Sequence, residues 1–104
     1  MIQYKYIATA NKVIDGDTIN FTIDLGFRMT MTANCRLAEI NAPEMNTDAG
    51  KQSKQFLESL IKPQTKYFIE STGLDKYGRP VVKIYINDMV VNYHMVESGF
   101  ASNY

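Results

Sequence analysis

The sequence predicts a mainly β domain of the α+β class. It is expected to be a small closed barrel of five strands, with a helix between the third and fourth strands and a short helix near the carboxyl terminus. Two observations lead to this prediction: the first half of the chain alternates apolar and polar residues between turn signals, and the spacing then becomes helical. The 104 residues suffice for one core but not two, so we expect residues 1–104 to form a single domain.

The first forty residues predict three strands in a meander. Strand formers dominate residues 4–14, and Asp15-Gly16 is a tight-turn signal. Residues 18–25 alternate with period two, a pattern that is typical of a half-buried strand. A third strand is predicted over residues 29–40. The residues expected to share its core face are Met29, Met31, Ala33, Cys35 and Leu37.

The second half of the chain predicts two helices and two more strands. Thr47 or Asp48 can cap a helix over residues 49–61, whose apolar positions have helical spacing. Gly99 suits a left-handed cap at the end of the last helix. The other predicted elements are two strands and a short helix over residues 67–70, 81–86 and 91–98. Five strands in this order predict a barrel of the oligonucleotide/oligosaccharide-binding type, here called an OB-fold.

The composition limits the classes of partner and compartment. Eleven Lys and Arg residues balance eleven Asp and Glu residues, so any affinity for a polyanion must come from a local patch of charge. The single cysteine, Cys35, excludes an intrachain disulfide and a cysteine-based zinc site. The first residues lack the apolar run of a signal peptide, and no stretch approaches the roughly 18 apolar residues of a membrane span. We therefore expect a cytoplasmic protein that does not enter a membrane.

The stretch from Cys35 to Glu44 concentrates chemically useful residues at the end of the third strand. It delivers a cation at Arg36, an amide at Asn41 and a carboxylate at Glu44, and Pro43 stops the strand. Taken alone, it is more typical of a surface strand that closes in a turn. Two other stretches favour a functional interpretation, namely Asp15-Gly-Asp-Thr18 and Asp75-Lys-Tyr-Gly-Arg79.

The first of these stretches suggests a site for a hard cation. Calcium takes carboxylate, amide and backbone carbonyl oxygens as ligands. Asp17, the side-chain oxygen of Asn41 and the carbonyl of Ala42 would supply three of them. The alternative is an ordinary hairpin turn, which is the commoner role of an isolated Asp-Gly pair.

The second stretch suggests a phosphate-binding loop, although a solvated hairpin turn would have the same composition. Arg79 offers a planar fork of donors, Lys76 a point charge and Tyr77 a stacking face. Arg36 would be the second guanidinium, and Glu44 would take a proton from an attacking water. Two arginines, a cation and a carboxylate form a minimal set for phosphodiester hydrolysis.

These motifs and their order resemble the thermonuclease family, whose members contain staphylococcal nuclease-like domains. The resemblance covers residues 7–104 and rests on Val13-Ile-Asp-Gly-Asp-Thr18, Arg36-Leu-Ala-Glu-Ile-Asn-Ala-Pro-Glu44, Asp75-Lys-Tyr-Gly-Arg79 and the segment from Val91-Asn92 to Gly99. It implies an OB-fold barrel that cleaves DNA and RNA with calcium as cofactor. The resemblance also implies cleavage of the bond to the 5′ oxygen, which leaves 3′-phosphates.

The resemblance also implies a role for individual residues. Arg36 and Arg79 match the catalytic arginines, and Glu44 matches the general base. The positions that match the calcium ligands are Asp17, Asn41 and the carbonyl of Ala42, and those that match substrate contacts are Lys76, Tyr77 and, by location, Tyr104. Asn41 departs from the family, which has a second aspartate there, so we expect weaker calcium affinity rather than none.

Two hypotheses follow. The first is a calcium-dependent nuclease that acts on DNA and/or RNA, preferably single-stranded, by direct attack of water. The second is a non-catalytic OB-fold module with a weakened metal site, which binds nucleic acid or protein without cutting. The combination of Arg36, Glu44 and Arg79 favours the first, because a pure binding surface has no use for a buried glutamate between two arginines. The oligomeric state stays open.

Overall fold

In the computed structural model, residues 4–104 are described, so residues 1–3 of the predicted domain lie outside the described residues. The chain forms a mainly β structure with two helices, which confirms the predicted class. The elements are, in chain order, β1 (Lys5–Asp15), β2 (Thr18–Gly26), β3 (Met29–Leu37), β4 (Ile40–Asn41), α1 (Asp48–Leu60), β5 (Lys66–Leu74), β6 (Pro80–Ile86), β7 (Met89–Val90), α2 (Val91–Glu97) and β8 (Ser102–Asn103).

Five strands close into a barrel in the order β3, β2, β1, β5 and β6. Neighbours along this order are antiparallel, and the barrel is closed by a short parallel pairing of β3 with β6, in which Arg36 lies opposite Val81 and Leu37 opposite Val82. Because α1 connects β3 to β5, it lies between the third and fourth barrel strands, as predicted. The closure brings the start of β6 beside the end of β3, and this junction positions the candidate site.

The barrel interior is filled by alternate residues of the strands and by one face of each helix. Ile19 and Phe21 of β2 are fully buried, and Leu57 of α1 and Met95 of α2 complete the core. Cys35 is also buried, and burial raises the pKa of its thiol to about 11. The expectation that Cys35 packs as a small hydrophobic residue is therefore confirmed.

The predicted signals mark the start of α1 and the end of α2. Thr47 caps α1, since its Oγ1 accepts a hydrogen bond from the backbone N–H of Gly50 at 3.0 Å. At the end of α2, Gly99 has φ +84°, and its N–H donates to the carbonyl of Val96. Neither helix in the described part of the chain is long and apolar enough to cross a membrane.

The third strand differs from its prediction. It ends at Leu37 rather than at residue 40, because Glu39 has φ +66° and breaks the extended backbone before β4. Met29 and Met31 are 61% and 40% exposed, so the expectation that they face the core is wrong. They do lie on the predicted face of β3, but the β2–β3 hairpin extends past the point where β6 closes the barrel.

Two short pairings were not predicted. β7 pairs with the end of β6, and β8 pairs with β4, where Ile40 lies opposite Asn103 and Asn41 opposite Ser102. Two-residue strands have no detectable period, so the sequence pattern does not reveal them. The β4–β8 pair brings the last residues of the chain to the segment that carries Asn41.

Candidate active site

The β3–β6 closure brings together the three stretches that the sequence predicts to be functional. Arg36, near the end of β3, lies opposite Thr18 of β2 on one side and Val81 of β6 on the other. The turn that carries Asp17 leads into β2, and Arg79 directly precedes β6. A cavity of about 240 Å³ lies at this junction. It is lined by Asp15, Asp17, Thr18, Arg36, Asn41, Ala42, Pro43, Glu44, Met45 and Arg79.

The Asp15-Gly16-Asp17 turn is fixed by its own side chains and by close packing. The backbone N–H of Asp17 donates to Oδ1 of Asp15 at 3.0 Å. Asp17 Oδ2 accepts a hydrogen bond from the backbone N–H of Ala42 at 2.9 Å, which ties the turn to the segment after β4. Gly16 packs so closely that a Cβ would overlap Oγ of Ser53 and approach Cβ of Ala42 to 2.8 Å. Glycine is therefore required here for close approach rather than for its φ angle.

Arg36 bridges two of the residues that were predicted to hold calcium. Its Nη1 lies 3.3 Å from Oδ2 of Asp17 and donates to the carbonyl of Leu37 at 3.1 Å. Its Nη2 donates to Oδ1 of Asn41 at 3.2 Å. Both side chains of the Arg36–Asp17 ion pair are largely shielded from solvent, since Arg36 is 16% and Asp17 13% exposed.

The donor set at this position fits a hard cation in its chemistry. Burial is the main cause that raises the pKa of Asp15, and the neighbouring Asp17 raises it further through a side-chain hydrogen bond and through its charge. In the part of the chain that the structure describes, no three His, Cys, Asp or Glu side chains cluster as metal ligands. A cation would therefore depend on the two aspartates together with amide and carbonyl oxygens, the ligand types that calcium accepts. Arg36 would have to share or release the oxygens of Asp17 and Asn41.

The loop from Asp75 to Arg79 is organised by one carboxylate. Oδ1 of Asp75 accepts hydrogen bonds from the backbone N–H groups of Tyr77 and Arg79, both at 2.9 Å. Its Oδ2 accepts from Nε of Arg79 at 2.7 Å. Local desolvation raises the pKa of Asp75, but the hydrogen bonds from Arg79 and Tyr77 outweigh it and hold the pKa below its usual value. Asp75 therefore fixes the direction of the Arg79 side chain.

Aromatic side chains lie next to both guanidinium groups. The Tyr77 ring centroid is 5.7 Å from Cζ of Arg79 and 5.2 Å from Nζ of Lys76. The Tyr104 ring centroid is 5.8 Å from Cζ of Arg36. Tyr77 and Tyr104 are 73% and 87% exposed, so each has surface free for a ligand.

A second cavity, of about 340 Å³, adjoins the first along the two arginines. It is lined by Arg36, Leu37, Ala38, Glu39, Ile40, Asp75, Lys76, Tyr77, Arg79, Val81 and Tyr104. The lining of the first cavity is mainly polar and includes three carboxylates, whereas the second combines charged side chains with tyrosine rings and aliphatic groups. The structure thus brings every residue predicted from the sequence to one of two adjoining cavities.

Glu44 differs from its sequence interpretation in one respect. The expectation of a buried glutamate is wrong, because the side chain is exposed and, among the described residues, accepts no hydrogen bond and forms no ion pair. Its backbone, in contrast, is held firmly. The Glu44 carbonyl accepts hydrogen bonds from the N–H and the Oγ1 of Thr47 at 3.0 and 2.6 Å, and a Cβ on Gly50 would overlap this carbonyl oxygen.

Sequence reasoning missed two residues that support the site. The sequence motif alone assigns no role to Asp75. An aspartate side chain that accepts a hydrogen bond from the backbone N–H two residues later is, however, a recognisable turn signal. Asn92 is fully buried, and its Nδ2 donates to the carbonyls of Ala38 and Val82, both at 3.0 Å, while its Oδ1 accepts from the N–H of Ile84. No local pattern reveals this role, because the partners are distant in the sequence.

Known proteins resemble this chain over most of its length. A family model described as "Staphylococcal nuclease homologue" matches residues 34–104. A Haemophilus influenzae protein named "Uncharacterized endonuclease" is 32% identical over 93 residues, which are 89% of this chain and 49% of that protein. A protein of the same name from Escherichia coli O157:H7 is 35% identical over 94 residues, which are 86% of this chain and 56% of that protein.

A third relative extends the comparison to a protein with a more specific name. The "Micrococcal nuclease" of Shigella flexneri is 32% identical over 74 residues, which are 71% of this chain and 39% of that protein. The chain spans about half the length of the Haemophilus and Escherichia relatives. On the family match and these identities, the chain belongs to the family of staphylococcal nuclease homologues.

Proposed function

We propose that this chain is a calcium-dependent nuclease that hydrolyses the phosphodiester bonds of DNA and/or RNA by direct attack of water. One observation carries the proposal. Arg36 and Arg79 converge on a single cavity of about 240 Å³ whose wall also contains Asp15, Asp17 and Glu44. Cations that grip a phosphate, and carboxylates that hold a metal or accept a proton, are the groups that this reaction needs.

In this proposal the two arginines bind the scissile phosphate. Asp75 engages Nε of Arg79 at 2.7 Å, and among the described residues neither Nη of Arg79 has a hydrogen-bond partner. The terminal edge of this guanidinium is therefore oriented and open to a phosphate oxygen. The Nη atoms of Arg36 contact Asp17, Asn41 and the Leu37 carbonyl. When substrate binds, at least one of these contacts would have to be replaced by a contact with the phosphate.

Glu44 is proposed to be the general base. Its carboxylate is open to water and is not occupied by an ion pair among the described residues, while its backbone is held by Thr47 and Gly50. A carboxylate on a fixed backbone at the cavity wall can take a proton from a water that attacks the phosphorus atom. The bond from phosphorus to the 5′ oxygen would break opposite that water, and the leaving oxygen would take a proton from solvent, which gives a 3′-phosphate and a 5′-hydroxyl.

Calcium would be held by Asp17, by the amide oxygen of Asn41 and by the carbonyl of Ala42, with Asp15 adding charge nearby. When bound, the ion would supply positive charge that offsets the negative charge building on the phosphoryl oxygens. Because Asn41 contributes an oxygen without a charge, we expect affinity for calcium to be weaker than with an aspartate at this position. Weak affinity predicts activity that saturates only at high calcium concentration.

The proposed substrate is single-stranded nucleic acid. Exposed rings at Tyr77 and Tyr104 flank the arginines, and bases that are not paired can stack on such rings. Lys76 adds a cation at the same edge of the second cavity. Since the chain has no net charge, this patch would supply the attraction for the phosphate backbone.

A non-catalytic binding module remains a second candidate, and one observation favours it. Arg36 satisfies oxygens of both Asp17 and Asn41, so the protein neutralises part of its own cation site. If this arrangement persisted with substrate, the same cavities would hold nucleic acid without cutting it. Binding to labelled single-stranded DNA without any turnover in millimolar calcium would support this alternative.

A nuclease assay on denatured DNA tests the proposal, with calcium compared against chelator. Three variants are informative: Glu44→Gln, Asn41→Asp and Glu58→Gln, the last being a matched control on the exposed face of α1. We expect calcium-dependent cutting that falls at least a hundredfold in Glu44→Gln, rises at limiting calcium in Asn41→Asp and is unchanged in Glu58→Gln. Full activity in chelator, or in Glu44→Gln, would contradict the proposed mechanism.

A further inference from the structure

The β2–β3 hairpin leaves one strand edge open. β3 pairs with β2 along its whole length on one side, but on its other side it meets β6 only at Arg36 and Leu37. Residues 29–34 therefore present the backbone N–H and C=O groups of one edge without a strand partner among the described residues. An unpaired edge of this length is a ready template for another strand.

This edge lacks the features that usually protect a strand from pairing. The sequence from Met29 to Cys35, Met-Thr-Met-Thr-Ala-Asn-Cys, contains no charged residue and no proline. Such edges are commonly blocked by lysine, by proline or by a bulge. The two bends that do occur in the hairpin lie elsewhere, at Gly26 and in the Phe27-Arg28 turn.

The face of the hairpin that continues the barrel interior is apolar and exposed. On this face Met29 is 61%, Met31 40% and Leu25 38% exposed, and Phe27, in the turn of the hairpin, is 96% exposed. Across a gap at this end of the barrel lies Leu74, which is 72% exposed. A cavity of about 180 Å³ fills the gap, lined by Tyr6, Ile23, Leu25, Met31, Ile69, Ser71, Gly73, Leu74, Pro80 and Val82. It shares no lining residue with the two cavities of the candidate site.

We propose that this edge is a dimer interface, at which a second copy of the chain adds its own residues 29–34 in antiparallel pairing about a two-fold axis near Met31. The unpaired backbone edge selects a strand as occupant rather than a helix or a lipid surface. In this pairing Met31 lies opposite Met31 of the second chain, and Met29 packs against Ala33 of the second chain on the apolar face. Thr30 then lies beside Thr32 of the second chain on the other face, where hydroxyl groups can pair.

Charge and area both favour a second copy as the partner. Each chain has no net charge, so two copies approach without overall repulsion. A side chain as large and as exposed as Phe27 offers about 200 Å² of accessible apolar surface that a partner could bury. The five exposed apolar side chains around the edge together offer on the order of 600 Å². A stable interface needs about 800 Å² from each partner, and the strand backbone would supply the remainder.

Sedimentation equilibrium of the full 104-residue chain at about 10 to 100 µM tests this proposal. We compare wild type with Met31→Lys, which places a charge on the apolar face, and with Thr32→Pro, which removes a donor from the edge. Phe68→Lys is the matched control, because Phe68 is 64% exposed on β5 and lies outside the interface. Circular dichroism checks that each variant folds.

We expect wild type and Phe68→Lys to be dimers, and Met31→Lys and Thr32→Pro to dissociate at least tenfold more readily. A monomeric wild type, or a dimer that neither edge variant weakens, would overturn the proposal. Met31→Cys gives a test that does not depend on destabilising variants. Across the two-fold axis it should form an intermolecular disulfide on mild oxidation, whereas Phe68→Cys should not. No cross-link at Met31→Cys would overturn the proposed register.

Discussion

Replacement of Asn92 by alanine should cost this small domain a large part of its stability. Asn92 is fully buried and makes three hydrogen bonds, with the N–H of Ile84 and with the carbonyls of Ala38 and Val82, all at 3.0 Å. Removing the amide leaves the N–H of Ile84 and the carbonyl of Ala38 without this partner, whereas the carbonyl of Val82 keeps a hydrogen bond from the N–H of Ala38 at 2.8 Å. Each unpaired buried group costs about 1–3 kcal/mol, and a water that enters the space can satisfy part of this need, so we expect about 2–4 kcal/mol in total. The free energy of unfolding of a domain of this size is only about 5–15 kcal/mol.

Urea denaturation followed by circular dichroism measures this loss. Asn46→Ala is the control, since Asn46 is exposed and its side chain forms no hydrogen bond among the described residues. We expect that change to cost less than about 1 kcal/mol. If Asn92→Ala cost no more than Asn46→Ala, the buried hydrogen bonds would not hold β6 to the segment between Arg36 and Asn41, and this reasoning would be refuted.

Asn92→Asp separates the hydrogen bonds from the volume of the side chain. The carboxylate would keep the bond from the N–H of Ile84 but would face the carbonyls of Ala38 and Val82, which repel it. Its pKa in the folded state would therefore be raised, so the folded state would bind more protons than the unfolded state. The deficit relative to wild type is then largest at neutral pH and shrinks as the pH falls toward about 4. A deficit that does not depend on pH would contradict this account.

Three further changes test how the site is built. Asp75→Asn should lower kcat/KM for single-stranded DNA about tenfold to a hundredfold while the fold persists, because the amide loses the bond that orients Nε of Arg79; unchanged kcat/KM would show that this orientation is unnecessary. Gly50→Ala should lower both the urea midpoint and the activity, because its Cβ would displace the backbone of Glu44; a normal urea midpoint would disprove that close packing. Cys35 should resist Ellman's reagent at pH 8 until urea unfolds the chain, since burial raises its pKa to about 11; rapid labelling of the folded chain would contradict its burial.

Local patterns predicted the five barrel strands and both helices, whereas the closure of the barrel depends on contacts that no local pattern contains. Alternation over residues 18–25 identified β2 and its inward face, and helical spacing placed α1 within one residue of its observed bounds. The error at Met29 and Met31 has a physical cause. Period two identifies the residues that share a face, but the burial of that face depends on where β6 meets β3.

In the candidate site, too, the sequence predicts some features and only the structure reveals the others. Sequence order placed Arg36, Asn41 and Glu44 at one strand end, and the structure brings Asp17 and Arg79 to the same cavity. The sequence did not reveal which charges pair with each other there. Pairings such as that of Arg36 with Asp17, 19 residues apart in the sequence, depend on register and side-chain direction, which residue type alone does not specify.

The amide at position 41 affects the arginine beside it as well as any cation. Arg36 forms an ion pair with the charged Asp17 through Nη1 and donates a hydrogen bond to the neutral Asn41 through Nη2. A hydrogen bond to a neutral amide is roughly half as strong as one to a carboxylate, so Asn41 holds Nη2 less firmly than an aspartate would. A weaker hold keeps this guanidinium available to a phosphate, whereas a second carboxylate would bind it more tightly in the absence of metal. In the proposed mechanism the same residue would weaken calcium binding and leave the arginine more available, and these two effects would act in opposite directions on catalysis.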